Sequence, residues 1–372
     1  MNTTERAGLR VVIAGGGTGG HLYPGVAVAR ELLRRRPDAQ VSFAGTARGL
    51  EARVVPREGF PLDLIRSGGL KGKAPADRIR GLLLLPLSGL DAWRLITRRA
   101  PHLVIGVGGY SSGPVVAIAA ARRIPTLLLE QNAVPGLTNR LLARLVDAAA
   151  VTYDASLPFF RGRGFVSGNP VRPAFFGDAG GEAREGAPDR PVRVLIFGGS
   201  QGAHAINLAL VAAAPVLAAA RPALAITHQT GERDVALVQD AYRRAGLAAQ
   251  VEPFLHDMER RMGDADMIVS RAGATTLAEI TAAGRPSILI PLPTATDDHQ
   301  RRNAEVLARA GAAEVLDERD LTPGTIAARL AALAGDADRR RRLGEAARRL
   351  ARPDAARLIV DRALALAGGR ER

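Results

Sequence analysis

The stretch Leu9-Arg10-Val11-Val12-Ile13-Ala14-Gly15-Gly16-Gly17-Thr18-Gly19-Gly20-His21, with Tyr23-Pro24-Gly25 behind it, decides the fold. The apolar run 9–14 reads as a buried β-strand, and Val26, Ala29 and Leu33 then recur on one face of a helix. A glycine-rich turn between strand and helix lets backbone N–H groups approach an anionic ligand at the helix N-terminus. Gly15, Gly17 and Gly20 fit G-x-G-x-x-G, so a dinucleotide site has to be weighed. The histidine after the last glycine is what makes the stretch unusual.

Outward from this stretch, apolar β-branched runs alternate with helical patterns, which predicts βαβ units and parallel sheets. Strands are expected at 9–15, 41–45, 102–108, 126–130, 148–152 and 165–167 in the first half. A second series opens with Val192-Arg193-Val194-Leu195-Ile196-Phe197 and a new glycine loop, Gly198-Gly199-Ser200-Gln201-Gly202. It continues at 223–228, 249–252, 266–270, 287–291 and 313–316. Residues 177–188, rich in Gly, Ala and charge, read as a linker. The fold class is therefore α/β, two doubly wound Rossmann-like domains facing a central cleft, with ligands at the carboxyl ends of the strands. Boundaries are expected at 1–170 and 171–350, with a C-terminal helix in 351–372 that packs back on the first domain.

Composition narrows the class. At 372 residues and 47% hydrophobic, the chain can bury two cores. It has no cysteine, which excludes disulfides and thiolate metal sites. No apolar signal precedes the first strand and no apolar run is long enough to span a bilayer, so a cytoplasmic chain without a membrane span is expected. The net charge of +14 asks for a polyanionic neighbour: nucleic acid, an anionic membrane or a phosphorylated substrate. With aromatics at 4% and no basic segment interleaved with them, nucleic acid is not expected as a partner.

Further motifs fall at strand ends. Gly106-Val107-Gly108-Gly109-Tyr110-Ser111-Ser112-Gly113-Pro114 has more glycine than a tight turn requires, and could cradle a phosphate through its amides and Ser111 or Ser112. Glu130-Gln131-Asn132, with Asn139 and Arg140 beyond, places polar side chains where α/β sites gather them. In Ser270-Arg271-Ala272-Gly273-Ala274-Thr275-Thr276-Leu277-Ala278-Glu279, small residues leave a helix N-terminus open to a pyrophosphate, and Glu279 could accept from a ribose diol. Asp297-Asp298-His299-Gln300 suits sugar hydroxyls better than a metal, because adjacent loop residues rarely converge on one ion. Among six histidines, His21 alone sits on an anion loop, where an imidazole can serve as general base.

Two chemistries compete. A dinucleotide enzyme needs an acid after its second strand, and here Gly45-Thr46-Ala47-Arg48 follows instead, though Arg48 could meet a 2′-phosphate. A sugar-nucleotide transferase suits the duplicated architecture better, with donor recognition in the second half and the acceptor in the first. No G-x-x-x-x-G-K-[ST] exists, which excludes a P-loop NTPase.

The ordered set of Gly16–His21, Gly108-Gly109-Tyr110 with Ser112-Gly113-Pro114, Glu130-Gln131-Asn132, Gly168-Asn169-Pro170-Val171-Arg172, Gly198–Ala203 and Arg271 through Glu279 spans nearly the whole chain. It resembles the MurG family, the UDP-GlcNAc:lipid I N-acetylglucosaminyltransferases of peptidoglycan synthesis (glycosyltransferase family 28). The resemblance implies a GT-B fold, a UDP-GlcNAc donor held mainly by the second domain, a lipid I acceptor, and lipid II made at the cytoplasmic face of the membrane. It implies inverting, in-line attack by the acceptor's C4 hydroxyl; no cofactor and no metal site are expected from the residues. Carried across, Thr18, Gly19, Gly20, Asn132, Arg172, Ser200, Leu255, Ala274, Thr275, Thr276, Leu277, Ala278, Glu279 and Gln300 would meet the donor. His21 is the candidate base.

An anionic leaflet also has a correlate in the chain. Gly81-Leu82-Leu83-Leu84-Leu85-Pro86-Leu87 and Trp93 lie among Arg66, Lys71, Lys73, Arg78, Arg80, Arg94, Arg98 and Arg99. An apolar face rimmed by cations suits peripheral insertion, each basic residue contributing roughly 1 kcal/mol. The alternatives are another GT-B enzyme, such as a UDP-sugar epimerase or a different glycosyltransferase, and a non-catalytic UDP-sugar or nucleic-acid binder.

Overall fold

The computed structural model describes residues 8–68, 75–177, 190–199 and 202–369, the side chains of 75–83 excepted. The chain forms two compact units, Met1–Val171 with Asp354–Arg372, and Arg172–Pro353.

In the first unit the strands are β1 (Arg10–Gly15), β2 (Gln40–Gly45), β3 (Leu62–Leu64), β4 (Leu103–Gly108), β5 (Thr126–Glu130), β6 (Ala148–Val151) and β7 (Gly164–Val166). They form one parallel sheet in the order β3-β2-β1-β4-β5-β6-β7. Successive strand residues point to opposite faces. Val11 and Ile13 accordingly join a core with Leu22, Leu32 and Phe43, while Val12 and Ala14 join another with Ile96, Val104 and Val116. A strand covered on both faces reads as an unbroken apolar run, which is why 11–14 is legible.

The helix Ala355–Gly368 belongs to this unit. Its Ile359, Val360 and Ala363 are fully buried in the same cluster as Leu22 and Leu32, and Asp361 pairs with Arg35. Ile359→Ala should therefore lower the unfolding free energy by about 2–4 kcal/mol, the cost of a large-to-small change in a packed core. Urea denaturation checks it; an unchanged midpoint would show that the tail does not hold the unit together.

The second unit has β8 (Val192–Phe197), β9 (Leu224–Gln229), β10 (Ala248–Glu252), β11 (Met267–Ser270), β12 (Ser287–Leu289) and β13 (Glu314–Val315). The parallel order is β10-β9-β8-β11-β12-β13. Val194 and Ile196 pack with Leu210, Leu217, Leu330 and Leu333.

The expected strands are present with ends shifted by one or two residues. β3 was not anticipated, because it is three residues long and carries a buried Asp63 and an exposed Leu64. Asp63 is held by Arg98 at 2.5 Å and Arg99 at 2.7 Å, so an ion cluster stands where apolar alternation would have marked a strand. In both units the strand order reverses beside the first strand, between β1 and β4 and between β8 and β11. Loops at such switch points leave a crevice at the carboxyl ends, and all four loops here carry glycine.

Candidate functional site

In the first unit the loops after β1 and β4 interlock. Gly16 N–H donates to the Gly108 carbonyl at 3.3 Å, and the β1–β4 register shifts between Ala14 and Gly15. A Cβ on Gly15 (φ +142°) would lie 2.3 Å from the Gly108 oxygen, and one on Gly109 (φ +82°) 2.5 Å from the Gly16 oxygen. Only glycine fits such close backbone approach. The loop is further held by Glu51, a 1% exposed carboxylate that sequence reasoning did not pick out. It accepts from Gly17 N–H at 2.7 Å and from the Thr46 N–H and hydroxyl at 2.8 and 2.9 Å. Glu51 thus takes the place after β2 where an acid for a ribose was sought, but it faces the glycine loop.

Thr18 precedes the helix Gly19–Arg35 with extended backbone and no side-chain cap, and its carbonyl accepts from the His21 and Leu22 N–H groups at 3.3 and 3.2 Å. His21 is partly exposed. Its Nδ1 is 3.1 Å from Gln131 Oε1, and Gln131 Nε2 donates to the Val107 carbonyl at 3.2 Å. Glu130, by contrast, turns inward. It accepts from Asn132 N–H (2.9 Å) and Nδ2 (3.2 Å), Gly136 N–H (3.1 Å) and Asn139 Nδ2 (2.8 Å). Glu130 and Asn139 brace the loop, leaving Asn132 as the partly exposed member. Ser111 and Ser112 are buried, and Ser112 Oγ would be 2.7 Å from a Cβ on Gly106. Ser112 therefore packs its hydroxyl against the sheet and Ser111 is buried beside it, whereas Tyr110 is 47% exposed.

In the second unit, Ser200 lies outside the described residues. Its loop is flanked by Gly199 and Gly202, and a buried Gln229 ties that loop to the 254–256 segment. Gln229 donates to the Gly199 carbonyl at 2.8 Å and accepts from Leu255 N–H at 2.9 Å. Leu255 thus has its N–H bonded within the unit, and its side chain is buried. Sequence reasoning missed Gln229; its place at the last residue of β9 is the only signal that could have found it. Beneath the loop, Asn207 donates to the Thr230 carbonyl (2.9 Å) and to Asp234 (2.8 Å), and lies 3.1 Å from His228 Nε2. Burial drives His228 down to about 3, so it is a neutral member of this network.

Gly273 caps the helix Ala274–Ala283 and has no side chain to satisfy its first turn. Ala274, Thr275 and Leu277 are buried and Leu277 N–H already donates to the Gly273 carbonyl at 2.9 Å, so a ligand can meet this stretch chiefly through the backbone at the start of the helix, with Thr276 and Ala278 partly exposed. Arg172 pairs with Glu259 at 3.1 Å and stacks on Phe175 at 5.1 Å. Burial pushes the Glu279 carboxyl up to about 7; Arg172 pulls it down and Glu259 adds to the rise. Gln300 accepts from Ala272 N–H (3.2 Å) and Leu292 N–H (3.0 Å), so what it can offer a sugar is its NH2 group. Among the described residues no three His, Asp or Glu gather as a metal site.

Glu279 thus ionises near neutrality. Below about pH 7 the carboxyl is protonated and loses acceptor capacity for a diol; above it, the carboxylate can take both hydroxyls. Affinity for a ligand whose diol is held by this carboxylate should rise about tenfold from about pH 6 to about pH 8, the span over which such a group ionises. Calorimetric titration tests this, with Glu279→Gln expected to bind weakly and flatly; an equally steep profile in that variant would remove Glu279 as its source.

The helix Pro75–Arg99 shows two faces. Ser88, Ala92, Leu95 and Ile96 are buried, whereas Leu85, Leu87, Leu90 and Trp93 are 39–50% exposed. The cationic rim is partly neutralised, since Arg66 pairs with Asp91 at 2.6 Å, and Arg98 and Arg99 pair with Asp63. Lys71 and Lys73, and the side chains of Arg78 and Arg80, lie outside the described residues. No described helix is long and apolar enough to cross a membrane.

Residues 11–151 match the glycosyltransferase family 28 N-terminal domain and residues 193–359 its C-terminal domain. A UDP-N-acetylglucosamine–N-acetylmuramyl-(pentapeptide) pyrophosphoryl-undecaprenol N-acetylglucosamine transferase of Anaeromyxobacter sp. (strain K) is 48% identical over 95% of this chain and 92% of its own. A protein of that name from Pelobacter propionicus is 48% identical over 96% and 99%. The crystal structure of Acinetobacter baumannii MurG, 32% identical, superposes with a TM-score of 0.78 over 96% of this chain and 99% of that one.

Proposed function

The chain belongs to glycosyltransferase family 28, and from that premise we propose that it moves GlcNAc from UDP-GlcNAc to the C4 hydroxyl of the N-acetylmuramyl sugar of lipid I, giving lipid II. The observation that carries this reading is that the likeness to transferases of that name runs through both units. The second unit takes the donor. The uncapped turn at Ala274 receives the diphosphate, Glu279 the ribose, the backbone at Leu255 the uracil, and the Gln300 NH2 group the sugar, with Arg172 and Ser200 beside them. Thr18, Gly19, Gly20 and Asn132 also meet the donor, while the first unit takes the acceptor and supplies His21 as general base.

Acting on a lipid-linked sugar, the chain works as a peripheral protein at the cytoplasmic face of the membrane. The exposed Leu85, Leu87, Leu90 and Trp93 support insertion there. Because three of the rim arginines are already paired, apolar contact contributes more to this docking than the net charge implies. The product supplies peptidoglycan synthesis, and through it cell shape and division. Incubation with labelled UDP-GlcNAc and a lipid I analogue is expected to put the label on the lipid. UDP release without labelled lipid would overturn the reading, and an epimerised sugar would favour the epimerase alternative.

A further inference from the structure

We propose that Gln131 is a positioning residue that fixes His21 as its Nδ1–H tautomer, leaving Nε2 to take the proton of the attacking hydroxyl. The inference rests on His21 as the base and adds what holds it ready.

Gln131 is 2% exposed and its amide has one permitted orientation. Its Nε2 lies 3.2 Å from the carbonyl of Val107, a fully buried β4 residue. Exchanging the amide atoms would set two oxygens face to face. Oε1 is thereby turned to His21, and as an acceptor only it requires a proton on Nδ1 at 3.1 Å. A neutral imidazole protonated there carries its lone pair on Nε2. The ring lies so close against Gly108 that a Cβ there would come within 2.8 Å of Nδ1 and 3.0 Å of Cε1, a seat that only glycine leaves open. When the acceptor oxygen bonds to the anomeric carbon, the bond to UDP breaks with its electron pair going to the diphosphate. The hydroxyl proton moves to His21 Nε2, and Nδ1–H still donates to Gln131. A carboxylate in this place would favour the charged imidazolium before reaction; the neutral amide orients the base without protonating it.

Selective 15N-histidine labelling of the full chain, without substrate and at a pH where the imidazole is neutral, reads the tautomer directly. His21, assigned by its absence in His21→Gln, is expected to show a protonated Nδ1 and an unprotonated Nε2. Gln131→Ala should move it toward the Nε2–H-rich mixture of free imidazole. It should also lower kcat about tenfold, a fraction of what a general base supplies, with donor KM within about twofold. Gln131→Glu, which keeps the acceptor oxygen, should retain the Nδ1–H signal and shift the acid limb of the rate profile to higher pH. A wild-type Nε2–H tautomer, or a Gln131→Ala enzyme with unchanged kcat and tautomer, overturns the proposal. If His21→Ala keeps full turnover, the base reading fails by itself, and the substrate-free spectrum still decides what Gln131 does.

Discussion

His21→Ala is expected to lower kcat by about 10²–10⁴-fold, the usual contribution of a positioned general base, while leaving UDP-GlcNAc affinity within about twofold. The separation of the two effects follows from where the groups sit. His21 lies in the first turn of the Gly19–Arg35 helix, whereas Glu279, Leu255 and Gln300 belong to the second unit. Truncation also leaves the loop's own scaffold intact, since Gly17 remains bonded to Glu51 and Gly16 to Gly108. Steady-state kinetics at saturating acceptor, paired with calorimetric donor binding, distinguish the outcomes. A parallel loss of affinity and turnover would make His21 a donor contact; unchanged turnover would remove it as base.

Gly202→Ala should abolish most donor binding while sparing the first unit. Gly202 has φ +75°, and a Cβ there would sit 1.8 Å from the Thr230 carbonyl oxygen. That carbonyl cannot yield easily, because Asn207 holds it and is itself held by Asp234 and His228. Burial opposes ionisation of Asp234, but hydrogen bonds from His204 and Asn207 keep its carboxyl below the usual range, so the anchor stays charged near neutrality. The backbone must therefore give way, at a cost of about 1–3 kcal/mol for a forced left-handed residue, more with the clash. UDP-GlcNAc affinity is expected to fall at least about tenfold, which 1.4 kcal/mol already produces. Calorimetry, with circular dichroism to verify folding, measures it. Native affinity in this variant would mean that the loop after β8 is not part of the donor site.

Much of this was legible because buried parallel strands announce themselves. β1, β4, β5 and β8 each hold an unbroken apolar run, 11–14, 103–107, 127–129 and 194–197, and each is followed by a glycine or polar motif that the eye can follow. The edge strand β3 was hidden by its buried aspartate, whose partners lie 35 and 36 residues away. The same limit applied to the site. Glu51 is 34 residues from Gly17, and no local pattern ties it to the glycine loop. Glu130-Gln131-Asn132 was recognised as a polar strand end, but which members face outward depends on contacts with Asn139, His21 and Val107. Ser112 and Leu255 show the same thing from the other side. Their motifs are visible in sequence, yet one hydroxyl packs on Gly106 and one amide is already bonded to Gln229. The opening glycine loop was readable as a strand-to-helix turn; what the structure adds is the bracing that shapes it and the amide that meets its histidine.

The most direct test is the structure of the lipid-linked product formed from UDP-GlcNAc and a lipid I analogue, read by NMR at the new glycosidic linkage. A β-configured GlcNAc on the C4 oxygen of the muramyl sugar is the predicted result, since one in-line displacement inverts the anomeric carbon. An α linkage, attachment at another hydroxyl, or a free sugar nucleotide altered at C2 with no lipid product would contradict the account.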